Sequence, residues 1–206
     1  MIKIELGNGK HIDGCLERVL RYRREYPRYE EYDSMDIAQD SKLRDSEIRV
    51  ANKLRARIGL LELQRFQRNR TRIEAALRSI PVAVALDDSW AIQQSIWKAI
   101  ENVYRACWDY GVREARTTKV LHKKRPELIP IIDGKMVIGR YYAEYRGPKK
   151  LGVPGMVAVT KQIRQDMIEN RGSLRRLQKE LVEAGINLTR VRLFDMVLWE
   201  AYQESK

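Results

Sequence analysis

Residues 111–133 read GVREARTTKVLHKKRPELIPIID. Gly111-Val112 makes a turn, and Arg113 starts a short helix rich in Lys and Arg. The PELIPII segment that follows is apolar and carries two prolines, which cannot continue a helix. It delivers a single carboxylate, Asp133, just before the helical pattern of Lys135–Tyr145. Upstream, Asp87, Asp88 and Ser89 are good caps for a helix whose core stripe is Ile92, Ile96, Ile100, Val103 and Cys107. Trp90, Trp97, Tyr104 and Trp108 flank that stripe as core anchors. Two helices joined by a glycine turn form a helical hairpin, here expected over about residues 88–124.

The same period runs outward from this hairpin. MIKIEL alternates apolar and polar residues and reads as a short strand or extended arm before Gly7 and Gly9, with helical spacing from His11 onward. RYRREYPRYEEY, residues 21–32, has Pro27 to end or kink its helix. Interleaved Arg and Tyr suit base stacking, but Glu25, Glu30, Glu31 and Asp33 break the cationic strip, so it reads as a solvated, partly packed segment. Ile48, Ala51, Leu54 and Ile58 set a helix ending at Gly59, and Leu60 to Ser79 reads as one further helix before Pro81. GPKKLGVPG is a loop. Three helices close the chain: Met156–Asn170, Leu174–Ala184 capped by Ser173, and a last one capped by Thr189 and running through Tyr202. The expectation is an all-α protein with a short N-terminal strand or arm, one compact domain over 1–206 with room for a two-lobed arrangement.

Charge narrows the partners. The 206 residues carry a formal +12, and residues 51–150 hold 21 Lys and Arg against 10 Asp and Glu, so +11 of the excess lies there. Such a surface attracts nucleic acid, anionic membrane or acidic protein. No run approaches the roughly 18 apolar residues of a membrane helix, and MIKIELGNGKHIDG has no signal-peptide core, so a cytoplasmic protein is expected. Cys15, Cys107, His11 and His122 are the only residues of their types and share no metal spacing, so neither metal nor cofactor is expected. One useful histidine is too few for a Ser-His-Asp or Cys-His mechanism.

What remains is the hairpin and the Asp. A hairpin turn offers backbone N–H groups to a phosphate, aided by the dipole of the helix behind it. Gly111 marks that turn, and Arg113, Arg116, Lys119, Lys123, Lys124 and Arg125 are the candidate phosphate contacts from the second helix and its exit. Asp133 is placed to cap a helix and, being fixed there, to do chemistry.

The order "long helix, Gly-Val turn, short basic helix, apolar Pro-containing segment, Asp at a helix start" resembles the helix-hairpin-helix DNA glycosylase superfamily. TKVLHKKRPELIPIID (118–133) and TRVRLFDMVLW (189–199) are similar to an uncharacterised bacterial family thought to branch from that fold. The resemblance implies that the hairpin grips double-stranded DNA and that Asp133, 22 positions beyond Gly111, serves catalysis on a flipped-out nucleotide. Departures accompany it. The superfamily's second hairpin glycine is Arg113 here, and the position of the lysine nucleophile of bifunctional members is Ala115. No four-cysteine cluster follows, which excludes an iron–sulfur centre. The expectation is a DNA-binding protein of that fold acting as a monofunctional base-excision enzyme. The alternative is a binding or interaction protein that keeps the fold without the chemistry.

Overall fold

The computed structural model describes residues 1–88, 93–134, 137, 141–145 and 151–204. The chain is mostly helical, with one small sheet. The expected N-terminal strand is β1 (Ile4–Glu5), but His11–Ile12 is not the start of a helix. It is β2, antiparallel to β1, with Ile4 opposite Ile12 and Glu5 opposite His11. Gly9 turns the hairpin at a φ of +79°, a conformation open to glycine at little cost. Gly14, at +64°, then releases the chain into α1 (Cys15–Glu25).

Pro27 divides the next stretch as expected: α1 ends before it, and it begins α2 (Pro27–Ser34). An irregular connection leads to α3 (Asp45–Val50), prolonged by a 3-10 turn over Ala51–Leu54. The helix expected to run through Ile58 stops there. Arg55 and Arg57 both take left-handed backbone, with φ of 56° and 54°, while Asn52 bonds both the N–H and the C=O of Ile58. The next expected helix is also two, α4 (Leu60–Arg68) and α5 (Arg70–Arg78), broken at Asn69.

The hairpin helices are α6 (Gln94–Cys107) and α7 (Glu114–Lys124). Ser89, Trp90 and Ile92 lie outside the described residues, and Asp87 is no cap but a buried partner of Arg190, at 2.6 and 3.0 Å. Of the helix expected over Lys135–Tyr145, residues 135, 136 and 138–140 lie outside the described residues, and Ala143–Tyr145 is a 3-10 turn. Then come α8 (Gly152–Glu169), α9 (Arg171–Glu183) and α10 (Arg190–Glu204). Thr189 caps α10 through the Arg192 N–H at 3.2 Å, whereas Ser173 lies inside α9.

Helices from both ends of the chain pack together: α1 along α10 and against α9, α9 on α8 and α10, with β2 against α10. The middle of the chain forms its own packing set, α5 on α6, α6 on α7, and α3 on α4 and α7. α6 on α8, and α2 on the 3-10 turn, join the two sets into one continuous apolar core. Among the described residues no helix is long and apolar enough to cross a membrane.

Candidate functional site

Segment 126–133 lies under α7 because α7 bonds it along its length. His122 Nδ1–H donates to the Ile129 carbonyl at 2.7 Å, and the Ile132 N–H donates to Thr118 Oγ1 at 3.0 Å. Leu128, Ile129, Ile131 and Ile132 are buried. Asp133 is thereby set beside the middle of α7, with Lys119 Nζ 3.7 Å from its Oδ2. The same amine donates to the Leu54 carbonyl at 2.9 Å, and burial pulls its pKa below the usual lysine value while Asp133 opposes the shift.

These two side chains open on a cavity of about 210 Å³. Its walls come from four parts of the chain: Tyr22 of α1, Tyr29 of α2, Leu54 and Arg55 of the loop after α3, and Arg192, Asp195 and Trp199 of α10. Tyr26 and Tyr29 stack at 5.3 Å, and Trp199 meets Tyr22, Tyr26 and Tyr29 edge-on at 5.3, 4.5 and 5.8 Å. Each is an edge-to-face or stacked distance that rigidifies an aromatic wall. The Arg55 guanidinium sits 5.8 Å over the Tyr29 ring at the same wall.

Arg192 anchors the floor. It is almost wholly buried, forks onto Asp33 at 2.7 and 3.1 Å, donates to the Tyr22 hydroxyl at 2.7 Å, and pairs with Asp195. Burial pushes the Asp195 carboxyl up to about 6, with Arg192 and Lys119 pulling the other way. A second cleft, of about 370 Å³, lies against Tyr32, Asp33, Lys123, Thr189 and Arg192. Three of its charged residues are already joined, Asp33 to Arg192 and Lys123 to the Asp33 carbonyl.

The hairpin residues separate in space. Gly111 turns at φ +75°, and a Cβ there would lie 2.7 Å from Arg65 Nη1. Arg113, where the second glycine is missing, has φ −114° and ψ −166°, so this turn asks for left-handed backbone at Gly111 and not at position 113. Arg116 clamps the turn to the neighbouring loop, donating to the carbonyls of Gly111, Ala56 (2.8 Å) and Arg57 (3.0 Å). Lys119 has entered the cavity, and Lys123 lies 4.9 Å over the Tyr32 ring in the second cleft.

Lys124 and Arg125 are not surface cations: both are buried and hold the α2–α3 connection. Lys124 bonds the Ala38 carbonyl, Asp40 and Glu47, while Arg125 bonds the carbonyls of Gln39, Leu77 and Ile80. Both sit at the exit of α7, where chain reversals leave carbonyls without helical partners, and a buried carbonyl is satisfied by the nearest donor. Of the expected contacts, Gly111, Arg113 and Arg116 remain at the hairpin face.

The tyrosines of 21–32, read as a partly packed segment, form the aromatic wall with Trp199. Arg192 and Asp195 fall within TRVRLFDMVLW, and the sequence alone assigns them no role. The signal was present: two charges three residues apart, and a tryptophan four further on, share one face of the helix within an apolar stretch, Val191–Trp199.

The chain belongs to a family of unknown function (DUF6308), whose pattern matches residues 15–202. No curated protein and no solved structure matches it.

Proposed function

We propose that this chain is a DNA-binding protein of helix-hairpin-helix glycosylase-like fold that draws one nucleotide out of a duplex and hydrolyses its N-glycosidic bond. The observation that carries the reading is the cavity that joins Asp133 and Lys119 to the wall of Tyr22, Tyr29 and Trp199. At about 210 Å³ it is smaller than ordinary ligand clefts of roughly 300–1,000 Å³. That room suits one flat ring system, with the sugar and phosphates left at the mouth. Aromatic side chains that line such a space favour a base over an aliphatic group.

The mouth fits the rest of the polymer. Arg55 lines the cavity, and Arg116 ties the Gly111 turn to the Arg55–Arg57 loop, which links the exposed Arg55 and Arg57 to the turn that carries the half-exposed Arg113. These cations, with the turn's backbone, are the proposed phosphate contacts in place of the buried Lys124 and Arg125. Asp133 then lies where C1′ of the extruded nucleotide would sit. Its carboxylate stabilises the positive charge that grows on the sugar and takes a proton from the attacking water. Lys119 fixes the carboxylate's orientation.

Lys119 also favours a second reading. It stands one helical turn beyond Ala115 on the same face of α7, with an amine whose pKa burial lowers, so it could replace water as the nucleophile at C1′. Borohydride trapping of an imine to the abasic product separates the two routes.

The test is single-turnover base release from duplexes carrying uracil, hypoxanthine, 8-oxoguanine or N7-methylguanine, with intact and abasic duplexes compared in binding. Asp133→Asn should stay folded, bind at least as tightly because one negative charge is gone, and lose release by about 10²-fold or more. Release at the unaltered rate in the Asn form refutes the role of Asp133. Tight binding with no release from any duplex leaves the non-catalytic alternative standing.

A further inference from the structure

The cavity holds two carboxylates at different depths. Asp133 keeps 25% of its side chain exposed and Asp195 keeps 8%. We propose that Asp195 is the acid that protonates the departing base at the inner end of the cavity, opposite the Asp133 end where the sugar lies. This rests on the reading of the site as a base-excision centre.

The geometry comes from α10, which places Arg192, Asp195 and Trp199 on one face. Arg192 fixes Asp195 through Oδ2. Oδ1 accepts no hydrogen bond among the described residues, yet it is not one of the sealed, unpaired oxygens, so it opens on the cavity that Asp195 lines. A proton on Oδ1 therefore faces the cavity in which a ring nitrogen or exocyclic oxygen of a base would lie, against the wall that Trp199 and Tyr22 form together.

Charge supports the same assignment. The groups facing Asp195 are Arg192 on its own helix, Lys119 of α7, Asp33 of α2, Tyr22 of α1 and, across the cavity, Asp133. Arg192 is already neutralised by its fork onto Asp33, so Asp195 is a second acid on one cation in a dry site. Burial accordingly raises its pKa to about 6, which leaves a usable population of the acid form near neutrality.

In the step, the C1′–N bond breaks and its electron pair stays with the base. The base takes the Asp195 proton, leaving a carboxylate beside Arg192. Water adds to C1′ through oxygen and gives its proton to Asp133. The products are free base and abasic sugar, and exchange with solvent returns the two protons to their starting places.

The experiment measures single-turnover release of a neutral base, such as hypoxanthine or uracil, across pH 5–8 in the unaltered protein, Asp195→Asn and Asp195→Glu. N7-methylguanine, which leaves without needing a proton, is the comparison. The unaltered protein should slow about tenfold per pH unit above roughly 6 on the neutral base. Asp195→Asn should be about 10²-fold slower at pH 5.5 and should lose that limb, with a much smaller loss on N7-methylguanine; Asp195→Glu should recover part of the rate and the limb. A merely structural role would slow both bases alike and leave the pH profile in place. That result, or an Asn form as fast as the unaltered protein, overturns the assignment of Asp195 alone. An unaltered protein that releases no base from any duplex overturns the excision reading, and the role of Asp195 with it. If the Asn form does not fold, the unaltered protein decides: a neutral-base profile that is flat through pH 6 refutes the proposal.

Discussion

Lys124→Ala is the perturbation that most directly separates a cation meant for phosphate from one meant for the fold. The side chain is 1% exposed, and its ammonium donates to the Ala38 carbonyl at 2.6 Å, Asp40 at 2.8 Å and Glu47 at 3.2 Å. Removing one partner of a buried ion pair costs roughly 3–5 kcal/mol, because the other charge is left uncompensated. Two features pull the figure down here. Arg44 still holds Glu47 and Asp40 at 2.7 Å each, and Asp40 lies at the surface edge of the cluster, where water can replace the lost donor. Against that, the Ala38 carbonyl loses a donor and the lysine stem leaves a void. The expected loss is therefore at the lower end, about 3 kcal/mol. Urea unfolding followed by circular dichroism measures it, and Lys124→Met separates the charge from the packing of the stem. The hydrogen bonds from Arg44, and then from Lys124, hold the Asp40 carboxyl below the usual range. A depressed folded pKa contributes stability above the unfolded value and loses it as pH falls. The gap between the two proteins should thus narrow below about pH 4. A loss under about 1 kcal/mol refutes the reasoning. So does a fall of about 0.9 in the log–log salt slope of duplex binding, the amount one lost phosphate contact would give.

Two further outcomes follow from burial. Ile100, fully buried in the middle of α6, should cost about 2–5 kcal/mol as Ile100→Ala, and a loss well below 1 kcal/mol would mean that this stripe faces solvent or a partner. His122 is buried with its pKa pulled down to about 3, so the folded state stays neutral where the unfolded chain, near 6.5, takes a proton. Stability is then lost as pH falls through that window, on the order of 2 kcal/mol between pH 6 and 4. The difference between the unaltered protein and His122→Gln isolates this contribution from Asp195, whose raised pKa acts in the opposite direction. Identical pH slopes in the two proteins would show that His122 is not the group responsible.

Periodicity reported well on what periodicity governs. In the stripe of α6, Ile100, Val103 and Cys107 are buried and Ile96 is partly buried, while Ile92 lies outside the described residues; Pro27 and Thr189 mark helix ends because a missing N–H and a free hydroxyl act locally. The helix breaks at residues 55–57 and at Asn69 were not legible, since no proline or well-placed glycine announces them. Two arginines hold left-handed backbone there because Asn52 and Arg116 bond the loop from outside. The cations of α7 show the same limit from the other side. Arg116, Lys119 and Lys123 fall at intervals of three and four and look like one solvated stripe. A helix laid against irregular chain instead meets unpaired carbonyls, and this stripe ends on those of Gly111, Ala56, Arg57, Leu54 and Asp33. Sequence records that a residue is cationic, while the direction of its arm depends on which carbonyls the fold leaves without donors. Asp133 was legible because the prolines before it fix where α7's neighbour must end. Asp195 was hidden because its meaning depends on Asp33 and Lys119 as well as on Arg192 of its own helix, and only tertiary packing brings the first two to it. By the same accounting, the side chains of Arg57 and Arg113 donate no hydrogen bond among the described residues, and Arg116 ties the loop of the one to the turn before the other. On the proposed reading they, and not the denser cluster at the end of α7, would be the hairpin cations free to meet a phosphate.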